Sequence, residues 1–252
     1  MKPAPDTPLS CLAFVDILHE AGLPKDWGRA IVTSDNALSE KLATDPRVGF
    51  FTFIGSSRVG WALRSKLAPG TRCALEHGGA APVIVTGDSD VYEVREAILK
   101  GCFYHAGQVC VSVQRIFAHT KLATRFATQL AMKAAGLKIG DPMDLETEVG
   151  PLIRPAEVDR VHEWVTEAIN GGGQLLTGGE KLSDTIYAPT VIFNAPEDCR
   201  LMTEEVFGPV VCVDPWFKIE DALARANSLP TAFQAAVFTR DVERALEFSD
   251  RL

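Results

Sequence analysis

Two residues in this chain have types that could do chemistry together: Cys110, in His105-Ala-Gly-Gln-Val-Cys110, and Glu76, in Leu75-Glu-His-Gly-Gly79. They offer a nucleophile and a base. Gly107 can set the thiol on a tight turn, and the glycine pair after Glu76 lets backbone and substrate approach closely. Each motif alone has a plainer reading, as a small buried cysteine and as a strand end running into a turn. A thiolate that attacks a carbonyl also needs donors for the oxyanion and a base to activate the water that releases the acyl group.

The elements around these motifs alternate. Thr7-Pro8 reads as a helix start, with Leu9, Leu12, Ala13 and Ile17 on one face and Gly22 as terminator. Ala30–Thr33 reads as a strand, Ala37–Ala43 as a short helix, and Phe50–Ile54 as a buried strand leading into Gly55-Ser-Ser-Arg-Val-Gly60 and a helix. Arg72–Glu76 and Val83–Thr86 read as strands. Val91, Val94, Ile98, Leu99 and Cys102 recur at three and four, so an amphipathic helix delivers Cys110 to its turn. Further helices are expected at Lys121–Ala135, Ala156–Ile169 and Ile219–Ala226, and strands at Val210–Val213 and Gln234–Phe238, with Asn170-Gly-Gly-Gly173 as a loop. This alternation predicts a mostly parallel α/β fold.

Composition removes several function classes. The chain has 252 residues, 46% of them apolar, enough for one large or two small domains with an ordinary core. A formal charge of −8 without a Lys/Arg run gives no footprint for nucleic acid or an anionic membrane. The six cysteines show no C-x-x-C spacing and read as reduced thiols of a cytoplasmic protein. His77, His105 and the acidic residues make no metal set at ligand spacing, and His105 reads as a packed or hydrogen-bonded histidine. No signal peptide is expected from the N-terminus. The ends read as internal to a longer protein, since the segment through Val242, Ala245 and Leu246 is still in helical phase at Leu252.

Six segments in order resemble landmarks of the NAD(P)-dependent aldehyde dehydrogenase superfamily: Lys2-Pro-Ala-Pro-Asp-Thr-Pro8, Phe53-Ile-Gly-Ser56, the Glu76 motif, the Cys110 motif, Val149-Gly-Pro-Leu152 and Glu204-Glu-Val-Phe-Gly-Pro209. The resemblance implies an aldehyde dehydrogenase-like α/β fold: a partial Rossmann-type dinucleotide-binding domain over residues 1–75 and an α/β catalytic domain over 76–252. It implies oxidation of a small aldehyde with NAD or NADP, Cys110 as nucleophile and source of one oxyanion N–H, and Glu76 as general base, a role that asks for partial burial. It also assigns Gly55, Ser56 and Gly60 to the cofactor, Lys2 to the adenosine ribose, and Glu205 and Phe207 to the nicotinamide half. The turn is neither a Walker loop nor G-x-G-x-x-G, and its plainer role is a serine helix cap. Lys2 alone reads as a frayed terminal lysine and Glu204–Pro209 as a turn. Pro5 stands where NAD-preferring relatives often carry an acid, which leaves NAD and NADP both open.

The same resemblance implies that whole family members carry further sheet strands, an oxyanion asparagine and oligomerisation arms outside this region. Two alternatives follow: acyl transfer from the thioester to coenzyme A, and a catalytically silent chain that associates with itself through sheet edges. The partners expected are a small aldehyde and a possible homo-oligomer.

Overall fold

The computed structural model describes all of residues 1–252 except 232. The chain divides into two compact units, Met1–His77 and Gly78–Leu252.

In the first unit, α1 (Leu9–Glu20) ends as its sequence demands. Gly22 takes φ +98° and Leu23 N–H returns to the Leu18 carbonyl at 2.9 Å, the left-handed termination glycine allows. Helix α2 (Asn36–Ala43) is capped by Asp35, whose carboxylate accepts from Ala37 and Leu38 N–H. Strand β1 (Phe50–Gly55), α3 (Ser57–Arg64) and β2 (Arg72–His77) form a strand–helix–strand unit in which the strands pair in parallel, Phe50 opposite Arg72 through Gly55 opposite His77.

Two expectations fail here. Ala30–Thr33 forms no strand: its main-chain partner is Met1, which donates from its amino group to the Arg29 carbonyl and accepts from Ile31 N–H, a single bridge where a strand needs a ladder. Phe50–Ile54 is a strand but not a buried one, with Phe50 56% and Ile54 80% exposed, because β2 is its one sheet neighbour among the described residues.

The second unit is built on a six-stranded sheet in the order β5-β6-β7-β4-β3-β8. Its elements are β3 (Ala81–Val85), α4 (Val91–Phe103), a 3-10 turn at Tyr104–Gly107, β4 (Val113–His119), α5 (Ala123–Ala135), α6 (Pro155–Asn170), β5 (Gln174–Thr177), β6 (Thr190–Phe193), α7 (Arg200–Thr203), β7 (Val210–Trp216), α8 (Ile219–Ala226), β8 (Ala236–Phe238) and α9 (Val242–Arg251). Every pairing is parallel except β5 with β6. β3, β4 and β7 are buried on both faces, as expected of parallel strands covered by helices. β4, β5, β6 and α7 are additions to the sequence reading. Among the described residues no helix is long and apolar enough to cross a membrane.

The core of this unit also encloses a guanidinium. Arg115 on β4 is 2% exposed and donates to the carbonyls of Ala80 at 3.2 Å, Arg225 at 3.1 Å and Ala226 at 3.1 Å. Burial brings its pKa down to about 10, and its bonds tie the backbone just after Gly79 to the central strand.

Candidate active site

The turn ahead of Cys110 has an unusual backbone. Helix α4, capped by Asp90 through Tyr92 and Glu93 N–H, ends at Phe103, and three consecutive residues then take positive φ: His105 at 49°, Ala106 at 54° and Gly107 at 71°. Side chains other than glycine pay sterically for this region, so the turn persists because its surroundings dictate it. Ala106 is buried at 1% exposure, and a Cβ on Gly107 would stand 2.5 Å from the Gly208 carbonyl carbon and overlap its oxygen. His105, expected to be packed or hydrogen-bonded, is exposed, with its ring edge-on to Tyr104 at 4.0 Å.

Gln108 clamps the turn to the 149–153 segment, donating to the Pro151 carbonyl at 3.1 Å and accepting from Ile153 N–H at 2.9 Å. Cys110 follows, half-buried, just ahead of β4. Its fellow thiols Cys102, Cys199 and Cys212 are buried, and burial pushes all three up in pKa, which keeps them protonated.

Glu205 and Phe207 lie beside this turn, sharing a narrow cleft with Gly79, Gly107 and Val109. Glu205 Oε1 accepts Gly79 N–H at 3.1 Å, and Gly78 leaves the room for it, since a Cβ there would lie 2.7 Å from the carboxyl carbon. Burial raises the Glu205 pKa, against the opposing pull of the Gly79 N–H and Arg160. Phe207 is 42% exposed and again in the left-handed region, φ 44°.

In the first unit, Gly55 closes β1 at φ +157° and Ser56 opens α3 with extended backbone; its hydroxyl makes no capping bond and is exposed. The plain cap reading therefore does not hold, and the first-turn N–H groups of α3 keep their capacity for an anion. Gly60 is buried over His77, where a Cβ would overlap Nε2 and approach Phe53 Cδ1 at 3.1 Å. Glu76 is exposed and its carboxylate accepts no hydrogen bond among the described residues, short of the partial burial expected of a base. Lys2 is exposed and lines a cavity of about 270 Å³ with Ile31, Thr33 and Leu38 of the same unit, a lining that includes none of Gly55, Ser56 and Gly60.

Sequence reasoning found the two loops but missed what holds them. Gln114 and Arg160, which fix the backbone around Glu205 from β4 and α6, lie far from it in the chain; for Gln114 the available signal is a glutamine followed by Arg115 inside an otherwise apolar strand, and for Arg160 there is none.

A mostly parallel sheet whose central strands are buried on both faces, with a half-buried cysteine just after a positive-φ helix-to-strand turn, defines an α/β protein. Comparison gives the family. The aldehyde dehydrogenase family profile matches residues 1–252, and the chain belongs to that family. It is 39% identical over 249 residues to 3-sulfolactaldehyde dehydrogenase of Priestia megaterium, covering 98% of this chain and 51% of that protein. It is 37% identical over 247 residues to betaine aldehyde dehydrogenase of Cereibacter sphaeroides, covering 97% and 51%. Among solved structures, glyceraldehyde-3-phosphate dehydrogenase GapN from Methanocaldococcus jannaschii, complexed with NADP, superposes with TM-score 0.94 at 32% identity, over 100% of this chain and 55% of that one. An NAD-dependent aldehyde dehydrogenase from Sinorhizobium meliloti gives TM-score 0.95 at 31% identity over 100% and 51%. The chain spans about half the length of the curated relatives it matches.

Proposed function

We propose that the chain contributes to an NAD(P)-dependent aldehyde dehydrogenase, converting an aldehyde and water to a carboxylate with reduction of NAD(P)+. The observation that carries this reading is the strained turn ahead of Cys110, locked by Gly107 against the Gly208 carbonyl and by Gln108 against the 149–153 segment. Strain of this kind persists where a reactive group must be presented. The Cys110 thiolate adds to the carbonyl carbon and its own backbone N–H donates to the oxyanion. Loss of hydride from that adduct, which bound NAD(P)+ would accept, leaves a thioester, and Glu76 takes a proton from the water that cleaves it to carboxylate and free thiol.

The residues present fit a dinucleotide. The free Ser56 hydroxyl and the α3 N–H groups, on the turn that Gly55 and Gly60 bracket, would hold the pyrophosphate, and Lys2 the adenosine ribose. Glu205 and Phe207 would hold the nicotinamide half, and the bound nicotinamide supplies the hydride acceptor. On this reading residues 1–75 serve mainly the dinucleotide and 76–252 carry the base and the thiol.

The test is NAD(P)H formation with a short aliphatic aldehyde, each cofactor in turn, beside Cys110→Ala. Turnover lost in the variant supports the thiol route; turnover that survives it removes Cys110 from the mechanism. Release of acyl-coenzyme A instead of carboxylate would replace water as the acceptor. A second reading, a silent chain that self-associates, draws on the unpaired outer edge of β1 among the described residues and on the 80% exposure of Ile54. It predicts concentration-dependent sedimentation without turnover.

A further inference from the structure

The carboxamide of Gln114 is shut into the core at 3% exposure, four residues past the candidate nucleophile. Nε2 donates to the carbonyls of Leu201 and Glu204, each at 2.7 Å, and Oε1 accepts from Val206 N–H at 2.8 Å. Both N–H donors of the amide are used, so the side chain has one orientation that satisfies it. The two peptide groups that flank Glu205 are thereby held by a single side chain. The next peptide is held as well, because Arg160 Nη2 donates to the Val206 carbonyl at 2.7 Å while Glu157 fixes its Nε at 2.8 Å. Phe207 follows at φ 44°, a conformation its own side chain disfavours. Nothing in the local sequence Glu-Glu-Val-Phe-Gly-Pro specifies that path; the buried glutamine and the arginine do.

We propose that Gln114, supported by Arg160, is a positioning residue for the nicotinamide half of the dinucleotide, acting through the backbone of Glu205 and Phe207. This rests on the cofactor reading above and adds to it a reason why those two residues stand where they do. Because β4 begins three residues after Cys110, one strand then carries both the thiol turn and the side chain that sets the facing loop.

The experiment compares Gln114→Met with the unaltered chain. Amide hydrogen exchange reports on Val206, and titration with NAD+ and NADP+ separately reports affinity. Gln114→Met removes three hydrogen bonds, of which Val206 N–H loses one, so exchange at Val206 is expected to quicken roughly ten-fold and the dissociation constant to rise by at least a similar factor. Leu130→Ala, a core cavity on α5, serves as the control for general loosening and should lower thermal stability without moving nucleotide affinity. If Gln114→Met does not fold, Arg160→Met, at a half-buried position, removes the Val206 carbonyl bond together with the Glu157 ion pair while leaving the three Gln114 bonds in place. Faster exchange with unchanged affinity overturns the proposal while leaving the cofactor reading intact. Failure of the unaltered chain to bind either nucleotide overturns both, and unchanged exchange at Val206 shows that Gln114 does not hold the loop.

Discussion

Gly107→Ala isolates the mechanism that shapes the thiol turn. Two costs add. An L side chain at φ +71° is disfavoured by about 1–2 kcal/mol. The new methyl group also meets backbone, not a movable side chain: the Gly208 carbonyl carbon at 2.5 Å and the Pro209 nitrogen at 3.2 Å. Displacing packed backbone costs typically 1–3 kcal/mol, so the expected loss is about 2–5 kcal/mol. Gly172→Ala gives the first cost without the second, since Gly172 has φ +108° and nothing within 4 Å of the added Cβ. Urea unfolding of both variants, followed by Trp164 and Trp216 in a Trp27→Phe, Trp61→Phe background, reads the second unit alone. At about 2–4 °C per kcal/mol, Gly107→Ala should melt on the order of 10 °C lower, and Cys110 should change its alkylation rate as the turn shifts. A loss within about 1 kcal/mol of that for Gly172→Ala would refute the argument that the Gly208 carbonyl confines this turn.

Further outcomes follow from two buried groups. Asp214, fully buried on β7 with neither oxygen hydrogen-bonded and Arg225 at 3.5 Å, has its pKa raised to about 6, burial outweighing the guanidinium. Its folded pKa lies above the unfolded value, so its contribution is complete below about pH 4 and is lost as pH rises through 6. Unfolding curves from pH 4 to 8 should therefore show the unaltered chain losing up to about 3 kcal/mol relative to Asp214→Asn, and a flat difference would remove the buried charge from the account. In the first unit, Gly60→Ala should destabilise by about 1–3 kcal/mol through the His77 ring, and His77→Ala should recover most of it. Additive losses in that double-mutant cycle would place the cost elsewhere.

Much of the fold follows from local pattern. α4 announces itself through Val91, Val94, Ile98 and Cys102, all buried as their spacing requires, and α6 through Pro155 at its start and Gly171 after its end. β4 escapes because Gln114 and Arg115 interrupt its apolar run, and both are buried by partners more than thirty residues away. Ala30–Thr33 carries a strand's composition, yet a strand is a pairing, and Met1 alone cannot supply one. The site divides the same way. Cys110, Gly55, Ser56 and Glu205 are visible as types in motifs, whereas the bond from Gly79 to Glu205 and the clearance at Gly78 depend on segments brought together by the sheet. Glu76 shows the converse, a motif that is legible although its exposed side chain carries no local sign of a base.

The distribution of strain ties these points together. Four residues other than glycine take positive φ among the described residues, and three of them, His105, Ala106 and Phe207, belong to the two loops of the candidate site. Each such residue costs of order 1–3 kcal/mol, which random placement would not concentrate in two loops that touch through Gly107 and Gly208. The loops offset that cost by holding each other through long-range contacts: Gly107 against Gly208, Gln108 on Pro151 and Ile153, and Gln114 on Leu201, Glu204 and Val206. Neither loop could keep its path as an isolated peptide, since both draw their partners from outside their own sequence. The geometry of the thiol and of Glu205 is thus a property of the folded sheet, and substitutions at buried amides should disturb the site as strongly as substitutions at the residues that face it.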